Sequence, residues 1–92
     1  MEPLIHYLGQ VLMEARENAG LARERLAATD PGGATTNTLF RLEQGKNGRY
    51  WPRQPDALVQ LYADACGVDP LDIWEAAISR ARNAPMASKK RS

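Results

Sequence analysis

Residues 20–45, GLARERLAATDPGGATTNTLFRLEQG, constrain the fold more than any other part of the chain. Two short stretches of helix-forming residues are split by Thr29-Asp30-Pro31-Gly32-Gly33, a cluster that breaks any helix. Gly20 stands before the first stretch and Gly45 after the second, both where a helix stops. Leu21, Leu26 and Ala27 are the apolar residues of the first stretch, and Ala34, Leu39 and Leu42 those of the second. Helices this short are held by what their apolar side packs on. The pair must therefore lie on a larger helical body.

The rest of the chain supplies that body. A first helix covers about residues 3–18, with Leu4, Leu8, Val11, Leu12, Ala15 and, just past its end, Ala19 at helical spacing, and Pro3 at the tolerant first position. Residues 46–55, KNGRYWPRQP, read as a loop, because two prolines and Asn47-Gly48 prevent regular structure. A fourth helix starts at Asp56 as N-cap and runs to Cys66, with Leu58, Leu61, Tyr62 and Ala65 as its apolar face. A fifth has Asp69 as cap, Pro70 at the first position and Asp72 in the first turn, and carries Leu71, Trp74, Ala77, Ile78 and Ala81 to about residue 82. The expectation is an all-α, compact five-helix bundle over residues 1–82, followed by a disordered basic tail, residues 83–92.

Ninety-two residues suffice for one domain and not for two. No apolar run approaches the roughly 18–20 residues of a membrane span. The start, MEPLIHYLGQ, has no basic region of the signal-peptide kind, so the expected location is cytoplasmic, on the nucleoid. One cysteine, Cys66, and one histidine, His6, cannot build a four-ligand zinc site, and neither a metal nor a cofactor is expected. The formal net charge is only +1, but it is uneven: residues 1–45 hold six acids and four bases, residues 46–92 five acids and eight bases. Lys46, Arg49 and Arg53 follow the third helix directly, and Lys89, Lys90 and Arg91 crowd the end. Attraction to phosphate depends on such local clustering rather than on the total. No phosphate-cradling glycine loop and no Ser-His-Asp or Cys-His set is visible, so the chain reads as no enzyme and no small-molecule substrate is expected.

The third helix opens on Thr35-Thr36-Asn37-Thr38 and has an apolar back. Threonine offers a hydroxyl and a methyl, and asparagine can pair two hydrogen bonds with adenine, so this turn suits a DNA major groove. The order of marks resembles the lambda-repressor-like, Cro/C1-type (XRE) helix-turn-helix family. Those marks are Gly20-Leu21 before a helix with Leu26-Ala27, then Thr38-Leu39-Phe40-Arg41-Leu42-Glu43-Gln44-Gly45-Lys46, then Leu58-Val59-Gln60-Leu61-Tyr62-Ala63 with Gly67-Val68-Asp69-Pro70-Leu71. The resemblance covers about residues 4–78. It implies helix-turn-helix DNA binding through the third helix, and often dimers on palindromic operators. Three departures stand out. Ala22 and Arg23 occupy the position of the family's hydroxyl cap and glutamine, the link between helices two and three is about two residues longer, and the loop with Tyr50-Trp51 is longer too.

On that resemblance Thr35, Thr36, Asn37, Thr38 and Arg41 are the candidate base contacts, with Thr35 or Thr36 also a candidate N-cap. Arg23, Lys46, Arg49 and Arg53 are candidate backbone contacts, which fix register without reading sequence. Phe40, Tyr50 and Trp51 are candidates for a partner or dimer contact, with Phe40 packing beneath the other two. Trp74 reads as core, Cys66 as a buried inert thiol, and Glu43 as a support that accepts a hydrogen bond from Arg16 or Arg23. The expected function is a sequence-specific regulator, a bacterial or phage repressor on a double-stranded operator, with room for a homodimer. The rival is a protein-interaction module on the same fold (an adaptor, an antitoxin-like partner or a phage-host factor).

Overall fold

A computed structural model describes residues 4–30, 32–44 and 54–83. These form five α-helices and, among the described residues, no strand: α1 Leu4–Asn18, α2 Arg23–Thr29, α3 Thr36–Gln44, α4 Pro55–Cys66 and α5 Pro70–Asn83. Among the described residues no helix is long and apolar enough to cross a membrane. Residues 45–53, with Lys46, Arg49, Tyr50, Trp51 and Arg53, lie outside the described residues. So does the tail from residue 84, although Asn83, read as its first residue, is the last of α5.

The helix ends follow local chemistry. At the end of α1 the chain turns left-handed at Gly20 (φ +71°), a conformation that side chains resist. The Gly20 N–H then bonds the Glu17 carbonyl and the Leu21 N–H bonds the Arg16 carbonyl, so two otherwise unpaired carbonyls are satisfied. Asp69 caps α5 as expected, accepting from the Leu71 N–H at 2.9 Å. The start of α4 differs from expectation. Asp56 is not its N-cap: Pro55 opens the helix, Gln54 stands at the cap position with no side-chain bond, and Asp56 falls in the first turn. Proline fits there because the first helical N–H has no intrahelical partner to lose.

The core is Ile5, Leu8, Val11 and Leu12 of α1, Leu26 of α2, Leu39 and Leu42 of α3, Leu58, Val59, Tyr62 and Ala63 of α4, and Ile73 and Ala77 of α5. α1 is the central element, packing on α5, α3 and α4. Its stripe includes Ile5, which the sequence reading left out, and stops short of the exposed Ala19. On α4 the buried side is Leu58-Val59-Tyr62-Ala63, with Leu61 only half-buried and Ala65 exposed. On α5 Trp74 is half-buried rather than core, while Leu71 (67% exposed) and Ile78 face outward.

Gly9 sits where α1 meets the end of α3. A Cβ there would collide with the Leu42 carbonyl oxygen and lie 3.2 Å from the Glu43 carbonyl oxygen. Only glycine lets the two backbones approach this closely.

Candidate nucleic-acid interface

The inward side of α3 consists of Leu39, Leu42 and Glu43. Its outward side is Asn37, Phe40, Arg41 and Gln44, at i, i+3, i+4 and i+7. Asn37 and Arg41 are exposed; Thr36 and Thr38 are half-buried on the first turn. Thr35 is the N-cap: its hydroxyl oxygen accepts from the Thr38 N–H at 3.2 Å and lies 3.1 Å from the Thr38 hydroxyl. Thr35 and Thr38 thus spend hydrogen-bonding capacity on the helix start, while among the described residues the side chains of Thr36 and Asn37 make no such bond.

The turn between α2 and α3 is organised by Asp30. One carboxylate oxygen accepts from the Gly32 N–H at 3.0 Å and the other from the Ala34 N–H at 2.8 Å. The Gly33 N–H closes a further bond to the Asp30 carbonyl. A side-chain acceptor that ties down following amides is how aspartate builds turns. The charge of Asp30 is therefore satisfied by backbone donors beside α3.

Beneath α3 a single carboxylate gathers four helices. Glu43, on α3, is fully buried at its side chain. It accepts from Arg16 of α1 through Nε at 2.7 Å and Nη2 at 2.9 Å, from Arg23 of α2 through Nη1 at 2.9 Å, and from the Tyr62 hydroxyl of α4 at 2.5 Å. Arg16 also donates to the Leu21 carbonyl at 2.7 Å. Burial pushes the Glu43 carboxyl up, but the bonds from Arg16, Tyr62 and Arg23 outweigh it and hold the group below the usual carboxylate range. Burial and the same carboxylate push Tyr62 well above the usual phenol range, so its proton stays on. The bond to Glu43 likewise raises Arg16.

Both of Glu43's expected partners are thus engaged at once, and Tyr62 is a third that the sequence reading placed only in the apolar face. The available signal was chemical: a tyrosine buried among Leu58, Val59 and Ala63 needs an acceptor for its hydroxyl. Arg23 does not simply face solvent. Its side chain is 27% exposed, and its guanidinium lies over the Phe40 ring, 5.1 Å from the centroid. Phe40 itself is 44% exposed. The start of α2 lacks a side-chain cap, as Ala22 dictates. Tyr50 and Trp51, expected above Phe40, lie outside the described residues, as do the candidate phosphate contacts Lys46, Arg49 and Arg53.

Elsewhere, Cys66 is half-buried rather than buried, and burial raises its thiol. Among the described residues no three His, Cys, Asp or Glu side chains are grouped to hold a metal. No family model, curated protein or solved structure matches the chain.

Proposed function

We propose that this protein is a sequence-specific DNA-binding regulator of the lambda-repressor-like helix-turn-helix kind, a repressor that seats α3 in the major groove of an operator. The observation that carries the reading is the outward side of α3. It offers Asn37 and Arg41, next to Thr36 and Thr38, and the one acid between residues 32 and 44 is the buried Glu43. A carboxylate on that side would repel phosphate at contact distance. Here the carboxylate points away and works as the helix's anchor.

In this reading Asn37 and Arg41 meet base edges, adenine and guanine being their geometric partners. Thr36 and Thr38 contribute hydroxyl and methyl contacts, and Thr35 holds the helix start. Lys46, Arg49 and Arg53 take the flanking phosphates. A homodimer would read two half-sites about one DNA turn apart, roughly 34 Å. Selection from a random duplex library at physiological salt, followed by sequencing, tests all of this. The expected product is an enriched inverted repeat. Uniform recovery of all sequences would overturn the reading.

A second reading has one observation in its favour: an exposed phenylalanine on α3 of a chain with net charge +1. Phe40, with Tyr50 and Trp51, would then contact a protein partner, since exposed aromatics anchor such interfaces. Recovery of no preferred duplex favours this alternative.

A further inference from the structure

We propose that Arg23 is a positioning residue that fixes the rotation of α3, and not a phosphate anchor. The inference deepens the DNA-binding reading and rests on it for its consequence, though not for its geometry. α2 has seven residues, one buried side chain, Leu26, and no side-chain cap at its start. So short a helix has little apolar surface with which to orient its neighbour. Arg23 supplies what is missing. Its Nη1 donates to Glu43 at 2.9 Å, and its guanidinium covers the ring of Phe40. Residues 40 and 43 lie one turn apart on α3 and about 60° apart around its axis, on the flank where the exposed side meets the buried side. One planar group therefore holds two neighbouring side chains on that flank. Rotating α3 about its axis carries both of them away from the guanidinium.

The consequence falls on Asn37 and Arg41, which flank Phe40 on the same helix side. Side-chain tips lie about 6 Å from a helix axis. A rotation of about 10° then moves them by about 1 Å, which takes a hydrogen bond out of range. Discrimination between bases thus depends on Arg23 without any contact from it. A phosphate anchor behaves differently, since it attracts every duplex alike and releases counterions.

The test uses the full chain with Arg23→Gln and, because Phe40 is exposed and its replacement spares the core, Phe40→Leu. On the duplex selected above, Arg23→Gln is expected to lose about tenfold in affinity, the scale of one such polar or cation–π contact. On random duplex it loses little, and the salt slope stays unchanged. Phe40→Leu, which alters no charge, moves the same ratio in the same direction. A slope shallower by about 0.9, with equal loss on both duplexes, is the signature of one phosphate contact and would overturn the proposal. A second readout needs no DNA. In the free protein, amide exchange at residues 40–44 is expected to quicken about tenfold in both variants while α5 is unchanged. Unaltered exchange overturns the positioning role even where DNA selection succeeds. Quickened exchange in a protein that selects no duplex upholds that role and refutes the DNA reading instead.

Discussion

Replacing Gly9 by alanine sets two effects of opposite sign against each other. Alanine in a helix interior is favoured over glycine by about 1 kcal/mol. Against that stands the collision of the new Cβ with the Leu42 carbonyl, with the Glu43 carbonyl oxygen and the Leu42 carbonyl carbon both at 3.2 Å. All three atoms are backbone, so no rotamer change relieves the overlap. α1 and α3 must part, and the Leu8, Leu12, Leu39 and Leu42 side chains that fill the space around them lose contact. Overpacking a core costs about 1–3 kcal/mol when side chains can adjust, and a rigid obstacle places this site at the upper end. The net expectation is a destabilisation of about 1–2 kcal/mol. For a domain of this size that lowers the melting temperature by roughly 5–15 °C. Urea unfolding followed by far-ultraviolet circular dichroism measures it directly. An alanine variant as stable as the parent, or more so, would refute the close approach of the two backbones.

Further expectations follow from the same geometry. Glu43→Gln leaves two guanidiniums without their carboxylate and should cost about 3–5 kcal/mol, read from the urea midpoint; a loss under 1 kcal/mol would contradict the buried cluster. The Glu43 carboxyl titrates lower in the folded protein than the about 4.3 of an unfolded chain, so its stabilisation is complete above that value and is lost as pH falls through the folded value. Unfolding curves between pH 7 and pH 3 should show this loss in the parent and a flatter profile in Glu43→Gln. Thr35→Ala removes the α3 cap and should cost about 1 kcal/mol, with equal weakening on selected and random duplexes if it reads no base. Asn37→Ala should relax preference at one base pair at a cost of about 1–3 kcal/mol, whereas Arg53→Ala weakens all duplexes alike and flattens the salt slope; identical behaviour of the two would remove the base-reading role.

Helix limits were legible because their signals are local. Gly20, Asp69 with Pro70, and the Asp30 turn each act within a few residues of themselves. Pro55 carried the same signal as Pro70, and the neighbouring aspartate masked it. Which side of a helix is buried was less legible. On α4 the sets 58-61-62-65 and 58-59-62-63 both follow helical spacing, and only the neighbours decide between them. Ile5 and Ile73 were missed for the same reason. The outward Asn37 and Arg41 were readable from the inward Leu39 and Leu42. The Arg23 arrangement was not, because its partners stand 17 and 20 residues away and no spacing rule links them.

The sharing of Glu43 bears on transplantation. Two of its three partners, Arg16 and Tyr62, stand outside the segment that runs from α2 through α3. Residues 22–44 grafted onto another scaffold would bring an acid into an interior that has nothing to neutralise it except Arg23. The unit that can be moved intact is larger, extending from Arg16 to Tyr62, and a chimera that respects those limits keeps α3 anchored as it is here.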